Sequence, residues 1–143
     1  MPIINIKKEG GRDPSMVKKR KILILDDEDL ILELAMEILK VLGFNAVGVN
    51  NSQDAINEFK KAIDESSPFD LVLFDMTLAE DMNGVDVLKE IKKIDPDIKA
   101  IISTGYSADD ISEEPEKYGF HASIPKPYSI NKLKEVLEQV LVG

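Results

Sequence analysis

The sequence predicts an α/β fold in which helices cover both faces of a parallel sheet. Apolar runs of strand length alternate five times with stretches of helical period, and parallel strands need crossover connections of the kind such helices supply. The runs themselves, Ile22–Leu25 and Leu71–Phe74 among them, are continuously apolar instead of alternating, the pattern of strands buried on both sides.

Taken in order, residues 1–20 contain Gly10-Gly11, Pro14 and clustered Lys without periodicity. They read as a flexible tail or linker, although Ile3, Ile4 and Ile6 could form a short strand. A single domain is expected over residues 21–143. Its first strand, Ile22–Leu25, ends in Asp26-Asp27. Ile31, Leu34, Ala35, Ile38, Leu39 and Leu42 then recur at spacings of three and four, one stripe of a helix, with Gly43 as its C-terminal stop. Phe44–Val49 is the second strand. Asn51 or Ser52 caps a second helix with Ala55, Phe59, Ala62 and Ile63 facing inward, and Ser66-Ser67-Pro68 breaks it.

The third strand, Phe69–Phe74, leads into Asp75, and Val87, Leu88, Ile91 and Ile94 mark a third helix. Ile98–Ile102 is the fourth strand. The helix expected around Asp109–Tyr118 should be short or distorted, because Pro115 falls within it. Phe120–Ile124 is the fifth strand. Ile130, Leu133, Val136, Leu137, Val140 and Leu141 form the clearest amphipathic stripe, on a last helix.

Composition narrows the function. The chain has no cysteine, so disulfides and zinc-thiolate sites are excluded. Apolar runs are too short to cross a bilayer and no signal-peptide core is present, so a cytoplasmic protein without membrane insertion is expected. Of the net charge of −9, residues 1–21 contribute +5, seven Lys or Arg against Glu9 and Asp13, which leaves −14 for the remainder. An acidic body of that kind repels nucleic acid and favours cationic ligands, so no direct nucleic-acid binding is expected.

Five strands suit the flavodoxin-like order 2-1-3-4-5, which makes strands 1 and 3 neighbours and puts the binding crevice above their ends. Asp26, Asp27 and Asp75 stand there. Crowded carboxylates repel, and one must hold a proton unless a cation joins them. A hard oxygen-seeking ion such as Mg²⁺ fits. Ser103 ends the fourth strand and Lys126 follows the fifth, between Pro125 and Pro127, on the same edge of the sheet. A nucleophilic carboxylate surrounded by acidic groups, a hydroxyl and an ammonium suits phosphoryl transfer. Each residue taken alone has a plainer role: Asp27 as a first-turn helix acid, Ser103 as a turn residue, Lys126 as a surface lysine.

In order and spacing, Ile22–Asp27, Asp75, Ser103 and Lys126-Pro127 resemble the hallmarks of response-regulator receiver domains of two-component signalling, over roughly residues 20–142. The resemblance implies that Asp75 is the phosphoacceptor. It implies that Asp27 binds Mg²⁺ directly, that Asp26 assists through water and that the Thr77 carbonyl completes the ligands. Ser103 would be the switch hydroxyl, Lys126 would pair with the phosphoryl group, and Lys126-Pro127 would be cis. A histidine kinase or histidine phosphotransfer domain is the implied donor, with an unidentified downstream protein target and room for a homodimer. Such a domain promotes only its own phosphorylation and dephosphorylation and is not a turnover enzyme.

The chain departs from the commonest pattern in its loop Asp75-Met76-Thr77-Leu78-Ala79-Glu80-Asp81-Met82-Asn83-Gly84, with Ala79 where proline is usual and one residue more before the glycine. With Ser103-Thr104-Gly105-Tyr106-Ser107, it is similar to receivers attached to hybrid sensor kinases. Ser123 stands where an aromatic residue often couples phosphorylation to output. Three alternatives compete with the receiver reading. A flavin or nucleotide binder is opposed by Asp26-Asp27-Glu28 at the first strand end, where a phosphate would meet carboxylates. A phosphoaspartate-forming hydrolase would carry a second Asp where Thr77 stands. A receiver-like module that no longer takes phosphate would not need the full set of site residues. His121, the single histidine, lacks a second imidazole for a metal, and Tyr106 has two readings, a rotating switch or an ordinary loop residue.

Overall fold

In the computed structural model, which describes residues 19–76, 82–105 and 110–142, five parallel strands form one sheet in the order β2-β1-β3-β4-β5. The strands are β1 (Lys21–Leu25), β2 (Asn45–Val49), β3 (Leu71–Asp75), β4 (Lys99–Thr104) and β5 (Ala122–Pro125). Between and after them run α1 (Asp29–Val41), α2 (Ser52–Asp64), α3 (Gly84–Ile94), α4 (Asp110–Glu113) and α5 (Ile130–Val142). The flavodoxin-like order is the expected one, and it makes β1 and β3 hydrogen-bonded neighbours from Ile22↔Leu71 to Leu25↔Phe74.

The period of two along each strand divides the core into two layers. Leu23, Leu25, Val72, Phe74, Ala100 and Ile102 face α2 and α3, where Phe59, Val87, Leu88 and Ile91 meet them. Ile22, Ile24, Leu71, Leu73 and Ile101 face the other way, against Ala35, Ile38 and Leu39 of α1 and Leu133, Val136 and Leu137 of α5. Continuous apolar strands are therefore required: every residue from Ile22 to Leu25 and from Leu71 to Phe74 is buried on one side or the other.

Local signals explain the helix ends. The Asn51 side chain accepts from Asp54 N–H at 2.9 Å, and Asn83 and Asp86 form a reciprocal capping box at the start of α3. After α1, Gly43 takes φ +94°, the left-handed conformation in which a Cβ is unfavourable. Pro115 cuts the fourth helix to a single turn, followed by a 3-10 turn at Pro115–Tyr118 that ends on Gly119 at φ +93°.

Several expectations need correction. Leu34, Ile63 and Ile130, assigned to inward stripes, are 40%, 39% and 48% exposed. Each lies at the margin of its stripe, and a helix lying on a sheet buries only the centre of the stripe. Strands expected to begin at Phe44, Phe69, Ile98 and Phe120 begin one or two residues later. Phe69, Ile98 and Phe120 are buried without joining the ladder, and Phe69 stacks on Phe59 with ring centroids 6.0 Å apart. The fourth strand also runs on through Ser103 and Thr104, whose pairing with Ile124 and Pro125 keeps these polar residues in the sheet.

Candidate functional site

The site lies at the C-terminal ends of β1, β3 and β4. Asp26 continues the β1 line, donating its backbone N–H to Val49 carbonyl at 3.1 Å. Asp75 is the last residue of β3 and stands opposite Ser103 in the β3–β4 register. Asp26, Asp75 and Ser103 have the same parity along their strands as Ile24, Leu73 and Ile101, so all three continue the face that meets α1 and α5. Depth then follows from the surrounding layers: Asp26 and Ser103 are 0% exposed and Asp75 is 3% exposed.

Three carboxylates converge. Asp26, Asp27 and Asp75 each bring one oxygen to within 4.8 Å of the others, with Asp27 half-exposed beside two buried partners. All the donors are hard oxygens and one side is open to water, a set suited to a divalent cation that keeps part of its hydration shell.

Lys126 supplies the counter-charge. Its backbone N–H donates to Thr104 carbonyl at 2.9 Å, which places the residue at the end of β4, and its peptide bond to Pro127 is cis. From there Nζ donates to Asp75 Oδ2 at 3.2 Å, Asp26 Oδ2 at 3.2 Å and Glu28 Oε1 at 2.7 Å. Burial by itself would lower the Lys126 ammonium, but the Glu28 hydrogen bond with the Asp75 and Asp26 charges outweighs it and holds the group above the ordinary lysine value. Burial pushes the Asp26 carboxyl up, opposed by the Glu28 backbone N–H and the Lys126 charge.

Two members of the site were assigned no role in the phosphoryl site by the sequence reading. Glu28 reaches Lys126 across 98 residues of chain, a contact that no local pattern announces. Tyr128, 6% exposed, hydrogen-bonds through its phenol to the Ser103 side chain. Its one signal was a polar tip on an aromatic residue placed directly after Pro127, since a buried tyrosine hydroxyl needs a partner. The Ser103 hydroxyl also donates to Phe74 carbonyl at 3.5 Å, at the limit of hydrogen-bond reach. Burial raises the Tyr128 phenol well above its usual range, opposed by the Ser103 hydrogen bond.

Of the residues expected here, Asp26, Asp27, Asp75 and Lys126 come together around one point and Ser103 lies beside it. Thr77 and Tyr106 lie outside the described residues. His121 is remote, at the opposite end of β5, where Ala100 N–H donates to its Nδ1 at 3.2 Å. A flavin or nucleotide phosphate at the β1 end would meet the Asp26 and Asp75 carboxylates, which opposes that alternative as the sequence did.

A model of the response regulator receiver domain matches residues 22–138. The chain belongs to that family. As a receiver domain it is 32% identical over 122 residues to chemotaxis protein CheY of Thermotoga maritima, covering 85% of this chain and 97% of the relative. It is 31% identical over 121 residues to sporulation initiation phosphotransferase F of Bacillus subtilis, covering 85% and 93%. Against transcriptional regulatory protein ComA of Bacillus subtilis, identity is 33% over 124 residues, 87% of this chain but 57% of the relative. The chain thus spans little more than half of ComA. Among solved structures, a receiver domain protein from Methanospirillum hungatei superposes with a TM-score of 0.74 at 30% identity, covering 87% and 95% of the two chains.

The receiver is a phosphoaccepting signalling domain, not a turnover enzyme, and its acidic cluster is of the kind typical of Mg²⁺-binding receivers. Histidine kinase or phosphotransfer systems are the family's partners. Among the described residues, no helix is long and apolar enough to cross a membrane.

Proposed function

We propose that Asp75 is the residue that accepts the phosphoryl group, and that the donor is a phosphohistidine of a histidine kinase or histidine phosphotransfer domain. An Asp75 carboxylate oxygen attacks phosphorus, the P–N bond to imidazole breaks, and the departing nitrogen takes a proton from solvent. Asp75 belongs to the three-carboxylate cluster and pairs with the Lys126 ammonium at 3.2 Å, as Asp26 does, but Asp75 also stands opposite Ser103 in the β3–β4 register. This central place among the acidic, ammonium and hydroxyl groups is the observation that carries the assignment.

Asp26, Asp27, Asp75 and the Thr77 backbone carbonyl are the residues assigned to Mg²⁺. When bound, the ion supplies positive charge against the oxygens of the phosphoryl group. Lys126 adds a second positive charge that is already in place, hydrogen-bonded and buried, so little reorganisation is needed as negative charge gathers. Ser103 supplies a hydroxyl that turns from Phe74 carbonyl and the Tyr128 phenol toward a phosphoryl oxygen. That turn is the switch through which β4 and the residues after it report to a downstream protein target.

Intact-mass measurement after treatment with acetyl phosphate and Mg²⁺ tests the assignment. The parent protein should gain one phosphoryl group per chain and Asp75→Asn none. Equal labelling of Asp75→Asn would overturn it.

A further inference from the structure

The Lys126 ammonium has three N–H donors, and Asp75, Asp26 and Glu28 engage all three. Phosphorylation takes the carboxylate charge from Asp75, so the N–H that Asp75 accepts can pass straight to the phosphoryl group; for a second Lys126 N–H to reach the phosphoryl oxygens, Asp26 or Glu28 must release one. These two differ in how cheaply they can do so. The Asp26 side chain is 0% exposed, whereas Glu28 is 61% exposed. A buried carboxylate that loses its cation keeps an uncompensated charge, but an exposed one recovers water.

A second observation singles out Glu28. It occupies the N-cap position of α1, yet its side chain caps no helix N–H. Its backbone N–H donates to Asp26 Oδ1 at 2.9 Å, so the main chain of Glu28 is tied to the acidic cluster while its carboxylate extends to Lys126. Glu28 thus makes the shortest of the three contacts with the ammonium and is the partner most easily returned to solvent.

We infer that Glu28 is an exchangeable positioning residue: it occupies the third Lys126 N–H while Asp75 is bare and yields it to the phosphoryl oxygen once Asp75 is modified. The inference rests on the assignment of Asp75 as acceptor. Glu28 therefore competes with the phosphoryl group for the lysine. Removing the competitor favours the phosphorylated form, and phosphate-site ligands bind more tightly without it.

The test is titration of the full chain with beryllofluoride in saturating Mg²⁺, followed by NMR. Apparent affinity should rise by about two- to five-fold in Glu28→Ala, the range expected for the loss of one exposed ion pair. In Glu28→Gln, which keeps an acceptor without the charge, the gain should be smaller. Asp29→Asn removes the same charge one residue away in the first turn of α1, and should leave the affinity unchanged. A gain in Asp29→Asn equal to that in Glu28→Ala would reduce the effect to general electrostatics and overturn the exchange. So would an unchanged or weaker affinity in Glu28→Ala. Absence of beryllofluoride binding by the parent would overturn the acceptor assignment itself, and the exchange with it. Parent binding with no gain in Glu28→Ala would overturn the exchange alone.

Discussion

The Tyr128 phenol is hydrogen-bonded to the Ser103 hydroxyl in the buried layer between the sheet and α5. This bond ties the residue after the cis Lys126-Pro127 peptide to the end of β4. On the proposed switch, it is also the bond that Ser103 gives up as it turns toward a phosphoryl group.

Tyr128→Phe should therefore have two consequences. Loss of one buried hydrogen bond is worth about 0.5–1.5 kcal/mol, and urea unfolding of the unphosphorylated protein should show a loss in that range. At the same time Ser103 loses a partner specific to the resting state. Chemical-shift changes over Asp110–Tyr118 on beryllofluoride binding should then be reached at lower ligand concentration than in the parent. A variant with unchanged stability would show that the phenol contributes no net hydrogen bond.

The convergence of Asp26, Asp27 and Asp75 predicts that Mg²⁺ binds in the absence of phosphate. A ligand selective for the folded state stabilises it, by about 2.7 kcal/mol at a hundred times its dissociation constant. Thermal unfolding in Mg²⁺ should shift upward in the parent and should not shift in Asp27→Ala. An equal shift in the variant would place the metal elsewhere.

Gly84, the first residue of α3, approaches the β3 backbone so closely that a Cβ would collide with the Asp75 carbonyl oxygen. Backbone cannot step aside as a flexible side chain can, so Gly84→Ala must push α3 outward or displace Asp75. Destabilisation of about 1–3 kcal/mol, typical of overpacking, should appear in urea unfolding together with a slower reaction with acetyl phosphate. Parent-like values for both would show that α3 shifts freely.

His121 predicts a pH dependence unconnected with the phosphoryl site. Partial burial and the neighbouring Lys99 and Lys92 charges lower its pKa from the ordinary 6.5, and the Ala100 N–H that donates to Nδ1 needs that nitrogen unprotonated. Between the lowered folded value and 6.5 the unfolded chain binds more protons, so stability rises with pH across that window and is lost as pH falls through it. The difference in melting temperature between pH 7 and pH 5 should be smaller in His121→Gln than in the parent. An identical difference would assign the acid sensitivity to other groups.

From sequence alone, continuous apolar runs such as Ile22–Leu25 determined that the strands are buried on both sides, the crossover rule then determined a parallel sheet, and the flavodoxin-like order that suits five strands put β1 beside β3. That topology was sufficient to bring Asp26, Asp27 and Asp75 to one crevice, because strand ends are placed by the sheet order and not by side-chain detail. Pro115 announced the shortened fourth helix for a comparably local reason, its missing N–H. Tertiary structure decided the rest. Whether Leu34, Ile63 and Ile130 were covered depended on how much of each stripe the sheet and neighbouring helices reach. Ser103, taken alone, read as a turn residue, and β3 and β5 supply its strand partners. The three-way sharing of Lys126 among Asp26, Glu28 and Asp75 joins residues up to 100 positions apart. Such a contact depends on distance and on the loss of water around the charges, and both exist only once the strands have assembled.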